Sequence, residues 1–204
     1  MSKLTVTNLV YHHLGPFDLT VGAGETVFLS GTSGAGKSLF LRSLADLDPH
    51  TGEVFLDGRL AQSWPAPQWR RRVGLLPAES QWWYDTVGEH LQKPIAPEMF
   101  AALGFDEQVL NWSITRLSSG EKQRLAILRL LHNQPAVLLL DEPTANLDSE
   151  SGRRVETLFL NYQREHGSAI VWVTHDLAQG YRLGRRHYQI ENGQLELVTA
   201  GESV

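Results

Sequence analysis

The apolar positions of this chain change period along its length, and the change separates two kinds of structure. Residues 4–9, 17–21 and 25–30 are short β-type runs divided by turns, with Gly22-Ala23-Gly24 as a hairpin-like break. Val27-Phe28-Leu29 is apolar without alternation and ends at Gly31, which suits a strand buried on both faces. Residues 38–46 switch to helical spacing through Leu39, Leu41 and Leu44, and the run stops near Pro49. Residues 52–60 read as two short strands around Asp57-Gly58, and 73–76 as a further strand. Residues 81–116 are irregular, with helical pieces at 98–103 and 106–110. The spacing then predicts a helix over 121–132, a strand over 136–140, a helix over 152–165 and a strand over 170–173. Residues 188–197 read as a hairpin about Asn192-Gly193. Strands alternating with helices predict a mainly parallel α/β sheet, and the hairpin-rich N-terminal part predicts an antiparallel sheet beside it.

Composition narrows the class without naming a function. A chain of 204 residues suffices for one compact domain with a sizeable core. Its apolar share (42%) and charged share (20%) are those of a globular protein. A net charge of −5 gives no reason to expect nucleic acid as a partner, because a phosphate backbone rewards a basic surface. Cysteine is absent, which excludes disulfide and thiol chemistry and suits a reducing compartment. Met1-Ser2-Lys3-Leu4-Thr5 lacks the apolar run of a signal peptide, and apolar stretches such as 136–140 are too short to cross a bilayer. Any membrane role is therefore expected to come through a partner.

The chemistry begins at Gly31-Thr32-Ser33-Gly34-Ala35-Gly36-Lys37-Ser38, a complete G-x4-G-K-[ST] phosphate loop between a strand and a helix. Its glycines let successive N–H groups face a phosphate, and the helix continuing into Leu39 adds its positive end. Lys37 is expected to reach the β- and γ-phosphates of a nucleoside triphosphate, and Ser38 to offer its hydroxyl to Mg²⁺. Asp141 and Glu142 follow the buried strand at 137–140, at the edge where ligands bind in open α/β sheets. Asp141 suits Mg²⁺, and Glu142 suits the water that attacks the phosphate.

A second anion site is written at Leu117-Ser118-Ser119-Gly120-Glu121-Lys122-Gln123-Arg124, which opens the helix at 121–132. Ser118 and the amides of Ser119 and Gly120 offer donors and a positive helix end to a phosphate. One chain does not easily fold both loops onto one nucleotide, so a partner's site is one expectation for the second.

Together these motifs resemble the ATP-binding-cassette (ABC) ATPases over nearly the whole chain, residues 1–204, read as a single ABC ATPase domain. The resemblance implies a P-loop NTPase fold with a mainly parallel core sheet, an N-terminal antiparallel β-subdomain, and a short helical subdomain inserted at about residues 81–134. Residues 117–124 resemble the family signature, and Ala145-Asn146-Leu147-Asp148 its D-loop. His175, in Trp172-Val173-Thr174-His175-Asp176, matches the switch histidine and is expected to hydrogen-bond the γ-phosphate. Tyr11 lies where the family places a ring that stacks on adenine, with Phe17 as the other candidate. In the family the signature contacts ATP held by a second copy of the cassette, so the resemblance implies an ATP-sandwich homodimer.

The chain departs from the family at two positions. Ser119 stands where a glycine is usual, and Ala78 stands where a metal-binding glutamine is usual, with no oxygen to offer. Glu79, a water or a shifted Gln81 is expected to fill the second gap.

The short segment 81–116 leaves no room for a coiled-coil insertion, which favours a stand-alone transporter subunit on the cytoplasmic face of an inner membrane, held by an integral membrane permease. Its compactness and the Trp172-Val173-Thr174-His175-Asp176 context resemble small cassettes paired with metal or small-solute export permeases. The alternative is an ABC ATPase switch acting on a soluble or nucleic-acid partner. Gln81-Trp82-Trp83-Tyr84 is either a docking surface for the permease or the packing of the small subdomain.

Overall fold

The computed structural model describes residues 2–91 and 95–198 and shows two sheets stacked on a shared apolar layer. Strands β1 (Ser2–Tyr11) and β2 (Leu14–Gly22) pair antiparallel through the turn at His12-His13. Strand β3 (Thr26–Ser30) joins the other sheet, so Gly22-Ala23-Gly24 is a crossing between sheets and not a hairpin. Burial decides this. All of β3 is buried and needs neighbours on both edges and faces, whereas β2 alternates between a core and a solvent side.

Helix α1 (Lys37–Leu44) follows, then the hairpin of β4 (Thr51–Leu56) and β5 (Arg59–Leu60). Helix α2 (Ala66–Arg72), which the hydrophobic pattern does not show, leads into β6 (Val73–Leu76). Only Trp69 of α2 is buried, anchored by its indole N–H to the Leu44 carbonyl at 3.0 Å, so no apolar period exists to read.

Residues 81–116 contain the short helix α3 (Pro97–Ala102) and single 3₁₀ turns at Gly88–His90, Glu107–Asn111 and Ile114–Arg116. The part of this segment at 92–94 lies outside the described residues. The chain continues through α4 (Ser119–His132), β7 (Val137–Asp141), α5 (Ser149–His166) and β8 (Ala169–Val173). It ends with α6 (Leu177–Leu183) and the hairpin of β9 (Arg186–Glu191) and β10 (Gln194–Val198).

The larger sheet runs β10-β9-β3-β8-β7-β6, parallel from β9 to β6, and the smaller antiparallel sheet runs β2-β1-β4-β5. Successive residues of β7 and β8 point to opposite faces. Val137, Leu139, Val171 and Val173 join α1 and the small sheet, whereas Leu138, Leu140, Ile170 and Trp172 pack against α4 and α5. Both faces being covered explains the unbroken Val-Leu-Leu-Leu run. Full burial stabilises each such side chain by about 1.5–3 kcal/mol. The carboxyl ends of β3, β7 and β8 are therefore held side by side on a rigid layer, and the loops leaving them carry the chemistry. Among the described residues, no helix is long and apolar enough to cross a membrane.

Candidate functional site

The phosphate loop leaves β3 at Ser30 and enters α1 at Lys37. Gly36 caps the helix with φ 97°, a left-handed conformation that favours glycine, and a Cβ there would also press on the Leu14 side chain at 2.5 Å. Ala35 packs against the apolar layer between the two sheets, and its N–H donates to the Thr32 carbonyl at 3.2 Å. Lys37 lies inside the loop, buried, donating to the carbonyls of Gly31 at 2.8 Å and Thr32 at 3.0 Å. Burial lowers its pKa, and the nearby charges of Glu142 and Asp141 oppose that shift.

Ser33, Gly34, Gly36, Lys37, Ser38, Leu39, Asp141, Glu142 and His175 line one cleft of about 260 Å³. Buried Asp141 ends β7, and Glu142 follows in a left-handed conformation at φ 48°. The Glu142 N–H donates to Val173 O at 3.0 Å, which ties the acidic turn to the end of β8. His175 Nε2 stands 2.8 Å from Glu142 Oε1. The cleft thus joins an ammonium, a hydroxyl, two carboxylates and an imidazole. The Ser38 hydroxyl and the Asp141 carboxylate are the hard oxygen donors that Mg²⁺ prefers, so the cleft fits that ion.

Glu79 does not fit the metal role expected of it. It is exposed and absent from the lining of the cleft, as are Ala78 and Gln81. The loop after β6 leads instead toward α4, where Ser80 meets Gln123 and Arg129 holds the Gln81 carbonyl at 3.0 Å.

Tyr11 does not fit the stacking role either. It is 1% exposed, with Phe17 at 5.3 Å and Phe40 at 6.3 Å between ring centres, and its hydroxyl donates to Gly36 O at 3.1 Å. Burial pushes its phenol well above the ordinary tyrosine value. Phe17 is fully buried as well, so neither ring has a face open to a base. The exposed rings of this region are His12 and His13, at the tip of the β1–β2 turn, next to the Leu14 that lies against Gly36.

Ser118, Ser119 and Gly120 do not line the cleft. Ser118 caps α4, and Ser119 is the helix's first residue with ordinary helical φ, so the usual glycine's freedom is not needed there. A methyl on Gly120 would sit 3.1 Å from the Asn146 carbonyl, which places the 145–148 loop directly against this helix start. Asp148 caps α5 through the N–H groups of Glu150 and Ser151, and these hydrogen bonds hold its carboxyl below the usual range. Ser151 donates to Asp148 at 2.7 Å and accepts from Arg124 of α4 at 3.2 Å, locking the two loops into one surface.

The aromatic segment splits between the two roles expected of it. Trp82 packs on the second core, whereas Trp83 (63%) and Tyr84 (48%) are exposed. His90 holds them by accepting the N–H groups of Trp83 and Tyr84 at 3.0 and 3.1 Å, and Arg129 lies over both tryptophans. A network not anticipated from the sequence joins α6 to the acidic turn. Gln179 donates to Thr144 and to Glu156, and Glu156 also accepts Arg182 through both oxygens. Polar residues at helical spacing, Gln179 and Arg182, were the only trace of it.

The family model for ABC transporters matches residues 14–145. The chain is 34% identical to the aliphatic sulfonates import ATP-binding protein of Escherichia coli (strain K12), over 97% of this chain and 77% of that protein. It is 31% identical to the spermidine/putrescine import ATP-binding protein of Chromobacterium violaceum, over 100% of this chain and 61% of the relative. A dimeric ATP-binding cassette solved in a post-hydrolysis state with ADP and Pi superposes with a TM-score of 0.76 at 26% identity, over 97% of this chain and 99% of that one.

Proposed function

This chain belongs to the ABC transporter family as an ATP-binding, ATP-hydrolysing subunit, and we propose that two copies close on ATP to drive a membrane permease. One observation carries the reading: the Ser118–Gly120 donors and the Lys37 cleft are separate surfaces of one chain. A second copy brings the two together, with each signature helix completing its partner's site.

In the closed dimer Lys37 holds the β- and γ-phosphates and His175 hydrogen-bonds the γ-phosphate. Glu142 takes a proton from the attacking water as the water oxygen bonds to the γ-phosphorus; the bond from that phosphorus to the β–γ bridging oxygen breaks, and ADP leaves. Ser38 and Asp141 would hold Mg²⁺, which neutralises phosphate charge when bound. His13 at the turn tip takes the adenine-stacking role that buried Tyr11 cannot. Asp148 orders the dimer-facing loop and does not itself hold the nucleotide.

Exposed Trp83 and Tyr84 form the contact for the permease, which holds the subunit on the cytoplasmic face of the membrane. The relatives are import subunits by name, so we favour import over export and a transporter over a soluble or nucleic-acid switch. Residues 1–204 act as one ABC domain with its helical part at about 81–134.

Light scattering of Glu142→Gln with and without ATP tests the dimer. The expected outcome is a monomer alone and a dimer with ATP, lost in Glu142→Gln/Lys37→Ala. A monomer at saturating ATP refutes the reading.

A further inference from the structure

The N-terminus of α4 is already occupied by an anion of its own chain. Glu121 Oε2 accepts both the Ser118 backbone N–H at 2.8 Å and the Ser118 hydroxyl at 2.8 Å, while the Glu121 N–H donates to Ser118 Oγ at 3.2 Å. This is a complete capping box. It engages the hydroxyl of Ser118, a donor that the proposed half-site would turn toward a partner's γ-phosphate, and ties down the backbone beside it. Hydrogen bonds from Ser118 and the charges of Arg124 and Arg116 hold the Glu121 carboxyl below the usual range. The group is an anion at neutral pH and already accepts the Ser118 hydroxyl.

We infer that Glu121 is an internal competitor for the signature half-site, occupying the Ser118 donors in the free monomer and setting the ATP concentration at which the dimer closes. The inference rests on the reading that Ser118 contacts a partner's ATP. Closure then exchanges one charge-assisted set of hydrogen bonds for another. It also brings the γ-phosphate up to a fixed negative charge. Glu121 acts through Ser118 and is a positioning residue. Its neutral isostere keeps an oxygen for the cap but lacks the charge, so the half-site opens more easily.

The test measures dimerisation against ATP concentration by light scattering in the Glu142→Gln background, with Glu121→Gln and Ser118→Ala added separately. Glu121→Gln is expected to lower the midpoint about three- to tenfold, from removal of one like charge at a helix N-terminus and of a charged acceptor. In the otherwise wild-type chain it is expected to lower KM for ATP by a similar factor, with kcat within about twofold. A merely structural cap would give no gain in either readout. Ser118→Ala is expected to abolish closure. An unchanged or raised midpoint for Glu121→Gln, with closure still lost in Ser118→Ala, overturns the competitor role and leaves the dimer reading intact. Closure that survives Ser118→Ala overturns the competitor role together with the Ser118 contact to a partner's ATP, and leaves the ATP-dependent dimer standing.

Discussion

Replacing Gln179 by glutamate exchanges an NH₂ for an oxygen at the donor end of a buried hydrogen bond. The Gln179 amide donates to Glu156 Oε1 at 2.7 Å and to Thr144 Oγ1 at 2.9 Å, and both Gln179 (6%) and Glu156 (8%) are nearly inaccessible. Arg182, whose Nη2 lies 2.7 Å from each Glu156 oxygen, can balance one carboxylate but not two. An ionised replacement would therefore face Glu156 at hydrogen-bonding distance, and the introduced carboxyl instead retains its proton and donates it as the amide did. An upward displacement of about two pKa units corresponds to about 2.7 kcal/mol.

The sign follows from the raised value. The stabilisation is fully present below the unfolded value of about 4.3 and is lost as pH rises through the raised folded value. A chain of this size loses about 2–4 °C in Tm per kcal/mol. The variant should melt about 5–10 °C below wild type at pH 8 and within about 2 °C of it near pH 4. Calorimetry across that range reads the gap directly. A deficit equal at both ends, or none at pH 8, refutes the argument. Because α6 begins at Leu177, directly after His175 and Asp176, ATP hydrolysis should fall in the same pH direction.

Burial lowers the pKa of both His90 and His187, so the stability they contribute is full above about pH 6.5 and declines as pH falls below it; imidazole proton NMR should show both titrating below the free value. His13→Ala should weaken ATP binding by about fivefold or more in equilibrium fluorescence, from loss of one base-stacking contact, whereas His12→Ala should not. Phe159→Ala empties a fully buried site where the ring meets Trp172 edge-on at 5.6 Å. It should cost about 3–5 kcal/mol, read as a Tm drop of about 6–20 °C, and leave ATP affinity of the folded protein unchanged.

Some of this protein is decided by its sequence alone. The phosphate loop, the acidic turn at Asp141-Glu142, the histidine at 175 and the signature segment all act through local backbone and directly attached groups, so spacing is enough to reveal them. The buried strands are equally legible, because a strand covered on both faces has no polar position to interrupt it. Ser118-Ser119-Gly120-Glu121 also carried the spacing of a capping box, a signal as local as the others.

Other features depended on the tertiary structure. Strand β1 buries Leu4 and Val6, then shifts register through Asn8 at φ 50° and buries Leu9 and Tyr11, so Tyr11 faces the core and the next exposed rings are histidines. A bulge changes which side chains face in without marking the alternation itself. Glu79 was placed near the metal by counting along the chain, but the loop after β6 turns toward α4, where Gln123 and Arg129 receive it. The ties between Arg124 and Ser151, and among Thr144, Gln179 and Glu156, join residues far apart in sequence. Local pattern specifies what a segment can bind. Which polar groups meet is settled only when packed elements bring them within hydrogen-bond distance, and here that step joined the 117–120 and 145–148 loops and kept Ser118–Gly120 out of the Lys37 cleft.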